Sequence, residues 1–412
     1  MKYFVFCALF ALTYANVDVN QLKKLQALPE FAGVSLVELE AQTRLTVPDL
    51  IESEGYPSET YEVTTEDGYI LTLHRIPLGK NAKKSNGKVA FLQHGILSSS
   101  CDWIITGSSK GLAYILADEG YDVWMGNARG NRYSRNHTTL NPDKDSKFWK
   151  FSWHQIGAID LPTMIDFVLE KTGVPSVYYA GHSQGTTSFF VMTSFKPEYN
   201  EKIKVQVSLA PIGFMNHMTS PFFRILAFWG KPLGLLLDLI GVDEFLPNNA
   251  FMDSFGSVIC GDHSITQILC ENVLFALCGF SNKEMNATLL PTLMAHTPAG
   301  SSTRQIMHYG QEINSGHFRQ YDFGLIENEK VYKTHSPPDY KLSQVTAPVY
   351  MLYSHNDWLA AEKDVTRLCD KLGNCKGMFL ISIEAFNHLD FMYGLSAPKI
   401  VYPKVISLFS RH

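Results

Sequence analysis

The chain has no long basic run: Asp, Glu, Lys and Arg make up 18% of its 412 residues, an ordinary share for a globular protein, and the formal net charge is −5. Phosphate backbones are bound by clustered Lys and Arg, so this composition argues against a nucleic-acid partner. The same lack removes a polybasic signal for an anionic membrane surface. No H-E-x-x-H, C-x-x-C or Walker A pattern occurs, and no G-x-G-x-x-G follows a strand-like run. The sequence therefore implies no metal and no cofactor. An uninterrupted apolar run of bilayer length is also missing, which argues against a transmembrane anchor. There is no internal repeat and no low-complexity tract, so solenoid and fibrous architectures drop out.

What is present begins at the N-terminus. Lys2 is followed by an apolar run from Tyr3 to Leu12 and by small residues at Thr13-Tyr14-Ala15. This three-part pattern reads as a secretory signal peptide over residues 1–15. Residues 16–46 are polar and rich in Leu and Glu, an N-terminal arm or a removable pro-segment. Secretion permits disulfides. Six cysteines follow the signal, and six allow fifteen pairings. Short loops suggest Cys260–Cys270 and Cys369–Cys375, which leaves Cys101 and Cys278 free. The sequons at Asn136 and Asn286 fit a glycosylated surface. Together these features place the protein outside the cell or, alternatively, in a lysosome.

From Val47 onward the pattern is that of alternating strands and helices. Tyr61–Thr64 and Tyr69–Leu73 read as strands around the turn Glu66-Asp67-Gly68. Val89–Leu92, Tyr121–Trp124, Val177–Ala180 and Val205–Leu209 read as further strands, with helices over Leu112–Asp118, Ile159–Leu169 and Thr186–Met192. Such alternation implies a mostly parallel sheet of the α/β class. It breaks from about Phe214 to Tyr340 and resumes at Val349–Tyr353 and Met378–Ile381. We therefore expect a core over 47–213 and 341–412, with a helical cap inserted over 214–340. Phe222 to Ile240, inside that insertion, is strongly apolar but broken by Arg224, Lys231 and Pro232. It reads either as a pair of core helices or as a lid that shows apolar surface to lipid.

The strongest chemical signal is Gly181-His182-Ser183-Gln184-Gly185, directly after a strand and directly before a helix. Glycines at both ends suit a turn too tight for side chains, which exposes the serine oxygen at a helix N-terminus. A serine hydroxyl needs a base, and on this fold the order is serine, acid, histidine. Asp357 lies just past the strand run Val349–Tyr353, and His388 just past Met378–Ile381. His355 competes as base, and Asp390 and Glu384 compete as acid. His296, His308, His317 and His335 fall inside the expected cap. An oxyanion hole needs two backbone N–H groups, one from Gln184 after the nucleophile and one from a loop after an earlier strand. His94-Gly95-Ile96-Leu97 follows Val89–Leu92 and fits, with Gly95 expected to permit a turn that aims the Ile96 N–H inward.

Phe91-Leu92-Gln93-His94-Gly95-Ile96-Leu97, Asp122–Asn131, Gly181–Thr187 and Asn387-His388-Leu389-Asp390-Phe391 together resemble the acid lipases, the family of gastric, lysosomal and invertebrate digestive lipases. The resemblance runs from about Val47 to near the C-terminus. It implies an α/β-hydrolase core with a helical cap and lid, and hydrolysis of triacylglycerols or cholesteryl esters at a lipid–water interface. It implies nucleophile, acid and base at Ser183, Asp357 and His388, and oxyanion donors at Ile96 and Gln184. It also supports Cys260–Cys270 as a cap disulfide with Cys278 free, whereas Cys369–Cys375 rests on proximity alone. Two other readings keep the fold: a soluble carboxylesterase or acyltransferase, and a lipid-binding protein without catalysis.

Overall fold

The computed structural model describes residues 45–80, 82, 84–228, 243–246, 278, 279, 281, 283, 284, 286 and 289–412. The expected signal over 1–15, nearly all of the arm over 16–46, most of the apolar stretch 222–240 and the Cys260–Cys270 pair lie outside the described residues.

The described chain opens with helix α1 (Val47–Ser53), where the Thr46 side chain and Asp49 form a reciprocal cap. Strands β1 (Glu59–Thr64) and β2 (Tyr69–Ile76) follow as an antiparallel pair, with Thr64 opposite Ile70 across the expected turn. β1 alternates half-buried and exposed residues, as an edge strand covered on one face should.

The alternating region supplies β3 (Val89–Gln93), α2 (Leu112–Asp118), β4 (Asp122–Gly126), the short β5 (Asn136–His137), α3 (Leu161–Thr172), β6 (Val177–His182), α4 (Gln184–Phe195) and β7 (Ile203–Leu209). Two helices differ from the sequence expectation. A π-helical stretch at Ile156–Asp160 runs into α3, so regular α-helix starts at Leu161 with Pro162 in its first turn. α4 begins at Gln184, two residues earlier than expected, because the turn at Ser183 delivers the chain straight into the helix.

Between β7 and the next sheet strand come α5 (Pro221–Phe228), β8 (Glu244–Phe245), α6 (Leu290–His296), β9 (Ser301–Ser302), α7 (Thr303–Ser315) and α8 (Leu325–Tyr332). The sequence showed little strand signal here; β8 and β9 are two residues each and pair only with one another. α7 is capped by the Ser302 hydroxyl and stops at Gly316 in the left-handed region, φ 66°. It docks on the core through His308, whose ring stacks on buried Trp153 with centroids 3.6 Å apart. α5 packs on α7, with Asn314 donating to the Ala227 carbonyl at 2.7 Å.

The core closes with β10 (Val349–Ser354), α9 (Glu362–Lys371), β11 (Cys375–Ile381) and the C-terminal helix α10 (Tyr402–Ser410). A disulfide joins Cys369 on α9 to Cys375 at the start of β11, and Cys101 and Cys278 are free and buried. The strand order is β1-β2-β4-β3-β6-β7-β10-β11, with β5 beside β2. The pairs from β4 through β3, β6, β7 and β10 to β11 are all parallel. β3, β4 and β6 are buried along their whole length, which explains why they read as continuous apolar runs. Their faces carry Phe91, Trp124 and Tyr179, each fully buried. The chain order reverses between β3 and β6, and Gln93 pairs with Gly181 there. Loops leaving the carboxyl ends of two such strands flank a crevice, the usual ligand position on open α/β sheets.

Candidate active site

Ser183 sits at the end of β6 with φ 50° and ψ −118°, a conformation that costs a non-glycine residue about 1–3 kcal/mol. The surroundings hold it there. Its N–H donates to the Leu209 carbonyl of the neighbouring strand at 3.0 Å, and its carbonyl accepts from the Thr186 N–H at 2.8 Å and the Thr186 hydroxyl at 2.7 Å. The two flanking glycines are a packing requirement. A Cβ on Gly181 would lie 2.8 Å from the Gly185 carbonyl carbon, and one on Gly185 would lie 2.2 Å from the Gln93 carbonyl oxygen. The elbow thus exists only because β6, α4 and the end of β3 approach backbone to backbone.

The loop after β3 lies against this elbow. A Cβ on Gly95 would meet the Ser183 Cβ and the His182 Nδ1, each at 3.2 Å. The sequence reading assigned Gly95 a turn-forming role; the structure corrects the reason. Gly95 does not use the left-handed region, and Leu97 does, with φ 60°. The glycine is needed for close approach. His94 organises the loop: its Nδ1–H donates to the Gly95 carbonyl at 2.7 Å, while its Nε2 accepts from the Ala128 N–H at 3.1 Å and the Asn131 amide at 3.2 Å. Burial holds this ring's pKa down to about 4, so it is neutral and supplies both a donor and an acceptor. Because a trans peptide sets its C=O and N–H in opposite directions, fixing the Gly95 carbonyl also fixes the Ile96 N–H. The Gln184 N–H belongs to the first turn of α4, which a helix leaves without an internal acceptor. Among the described residues neither the Ile96 nor the Gln184 N–H donates to a protein acceptor.

On the far side, His388 and Asp357 meet. The His388 Nδ1 lies 2.8 Å from one Asp357 oxygen and 3.0 Å from the other. Both side chains are buried. The Asp357 Oδ1 also accepts from the Leu359 and Ala360 N–H groups at 2.9 and 2.8 Å, so the carboxylate is oriented from behind. His388 is held at its main chain by a reciprocal cap around it: the Asn387 side chain accepts from the Leu389 and Asp390 N–H groups, and Asp390 accepts from the Asn387 N–H at 2.7 Å. The ring of His182 lies 5.0 Å from the ring of His388, which brings the histidine beside the elbow.

The rival residues go elsewhere. His355 pairs with Glu362 at the surface, and Glu384 is exposed. Asp390 is bonded by Asn387 and Ser281, and burial pushes its pKa up to about 7. Of the four histidines expected in the inserted segment, His296 and His308 are buried and His317 and His335 exposed. Asn136 is exposed on β5, and Asn286 is half-buried. Sequence reasoning placed His94 in the oxyanion loop and His182 in the elbow but missed their hydrogen bonds and those of the Asn387/Asp390 cap. Only the last left a signal, an Asn with an acid three residues on.

The chain matches two family models: a partial alpha/beta-hydrolase lipase region over residues 47–107 and the alpha/beta hydrolase fold over residues 91–395. It is 45% identical to Lipase 3 of Drosophila melanogaster over 376 residues, covering 91% of this chain and 95% of that one. It is 40% identical to human lysosomal acid lipase/cholesteryl ester hydrolase, covering 93% and 95% of the two chains. It is 39% identical to rat gastric triacylglycerol lipase, covering 90% and 92%. A solved structure from Sulfolobus solfataricus shares the fold with a TM-score of 0.57 at 15% identity, over 86% of this chain and 94% of that one. With a serine elbow at the end of β6 and lipases as relatives over nine-tenths of its length, this chain belongs to the α/β-hydrolase lipase family and is a carboxylic ester hydrolase.

Proposed function

We propose that the protein is a secreted or lysosomal lipase that cleaves triacylglycerols, cholesteryl esters or both through a Ser183–His388–Asp357 triad and an acyl-enzyme. The observation that carries this reading is the buried Asp357–His388 pair standing beside the Ser183 elbow. His388 takes the Ser183 proton as the oxygen attacks the ester carbonyl. Asp357 holds the imidazole tautomer and stabilises its charged form. The Ile96 and Gln184 N–H groups receive the oxyanion. The alcohol leaves with the proton from His388, and water, activated by the same histidine, releases the fatty acid.

Residues 214–340 act as a cap over this site, and the exposed Ile225 and Phe228 at the end of α5 belong to the surface that meets lipid. No helix among the described residues is long and apolar enough to cross a membrane. The names of the gastric and lysosomal relatives support a location outside the cell or in the lysosome. The test is labelling with a fluorophosphonate together with turnover of triacylglycerol and cholesteryl ester emulsions. Ser183→Ala is expected to abolish labelling and to cut turnover by about 10³-fold or more. Full turnover in that variant would refute the assignment. A rate that does not rise when substrate passes its solubility limit would point to a soluble esterase instead.

A further inference from the structure

We propose that His182 is a positioning residue for this reaction: its Nε2–H holds the main-chain oxygen of His388, so that the general base is registered against the elbow that carries the nucleophile. The inference rests on the reading of His388 as the base. The His182 Nε2 lies 2.9 Å from the His388 carbonyl oxygen, and the two rings are 5.0 Å apart. A carbonyl oxygen only accepts, so Nε2 carries the proton. Burial first, and then neighbouring His388, holds the ring's pKa down to about 3, so it stays neutral and Nδ1 is a bare lone pair. Nδ1 is buried and has no hydrogen-bond partner.

That unpaired nitrogen is the telling feature. A phenyl ring would fill the same space without burying an unsatisfied acceptor, and such groups are rare enough to need a reason. Here the reason is the other nitrogen. Asp357 grips the His388 side chain from the loop after β10, and His182 grips its main chain from the end of β6. Two anchors on different strands fix both the position and the tilt of the imidazole. The packing leaves no slack, because the Nδ1 edge faces the Cα of Gly95 at a spacing that would not admit a methyl group comfortably. His182 therefore touches the oxyanion loop on one side and the base on the other. The titratable groups that act on it are His388, Asp357 and His94. As a neutral ring it adds no charge against the imidazolium that forms in the reaction.

The test compares His182→Phe with His182→Gln in the full-length protein, because a glutamine amide can reach the place of Nε2 and a phenyl ring cannot donate. Cooperative thermal melting establishes folding, and His182→Asn, whose amide is too short to reach, replaces the Phe variant if that one does not fold. With a soluble short-chain ester, kcat of the Phe variant is expected to fall about tenfold to a hundredfold with little change in KM, the size of loss that a misplaced group produces. The acid limb of its kcat/KM profile should shift, and the Gln variant should recover most of the loss. Wild-type kcat and pH profile in the folded Phe variant, or equal impairment in the Phe and Gln variants, would overturn the proposal. His388→Ala separates the two ideas. If it labels with fluorophosphonate at the wild-type rate, the base assignment falls and this inference falls with it. If it does not label while His182→Phe behaves as wild type, the positioning role alone is wrong.

Discussion

The side-chain amide of Gln184 donates to the side-chain oxygen of Gln305 at 2.7 Å, tying the first residue of α4 to the first turn of α7. Both residues are buried, and the Gln184 Oε1 has no partner of its own. Gln305→Ala would leave the whole Gln184 amide unsatisfied. The expected cost is about 1–3 kcal/mol, read as a lower midpoint in thermal or urea unfolding. An unchanged midpoint would show that water or a neighbour takes over the bond.

Asp357→Asn should damage catalysis far more than folding. The Leu359 and Ala360 N–H groups will keep the amide oxygen at the Oδ1 position, which turns the NH₂ group toward the His388 Nδ1. The imidazole must then present a lone pair to Asn and carry its proton on Nε2, where it cannot act as a base. Steady-state assays should show kcat lower by about 10⁴-fold with the melting temperature nearly unchanged.

Gly185→Ala tests the elbow itself. The new methyl would lie 2.2 Å from the Gln93 carbonyl oxygen, which is backbone and cannot swing aside. The expected result is a loss of about 2–4 kcal/mol in unfolding free energy, with activity lost alongside. A variant of normal stability and full activity would mean that β3 and α4 separate more easily than their packing implies.

The dependence of stability on pH follows from two opposed sets of buried groups. Burial holds His74, His94, His154, His182, His296 and His308 below their ordinary value of 6.5. Each takes up a proton on unfolding as pH falls below 6.5, which removes stability. Burial also raises Asp102 to about 6 and Asp390 to about 7, and raises Asp160 and Glu312. These carboxyls release protons on unfolding above about pH 4, which favours the folded state at acid pH. The six histidines outweigh the raised carboxyls near pH 5, so the unfolded chain binds more protons than the folded one and stability should decline toward acid. Urea unfolding at pH 5, 6 and 7 checks the sign. Stability that rises toward pH 5 would contradict it.

Removing the Cys369–Cys375 bridge by paired Ser substitutions frees a loop with a sequence separation of 6. Closure of so short a loop is worth about 2 kcal/mol of unfolded-state entropy. The midpoint should fall accordingly, with kcat preserved, because the bridge joins α9 to β11 away from the Asp357–His388 contact.

Much of the fold was legible because it is local. Two glycines around Ser183, an apolar run before and helix-forming residues after describe a strand–turn–helix without tertiary information. The same holds for Asp357 and His388, each placed just past a β-rich run. The reason for Gly95 was misread because close approach to His182 and Ser183 is a property of two strands, and no single loop records it. The helix at Leu161 and the two-residue strands β8 and β9 were blurred for a related cause: the π-helical entry and the short pairing depend on contacts made elsewhere.

The amino-acid sequence by itself determined the periodicities, the parallel α/β class, the places of Ser183, Asp357 and His388 just past strand-like runs, and the cysteine pair close enough to bridge. Tertiary structure alone decided that β6 stands between β3 and β7, and so which loops share a crevice. It alone chose Asp357 over Asp390 and Glu384 for His388, and assigned bonding roles to His94, His182 and Gln305. The physical reason is range. Helix and strand signals arise from neighbours a few residues apart, whereas a hydrogen bond between residues 206 positions apart exists only once the sheet has set its ends side by side.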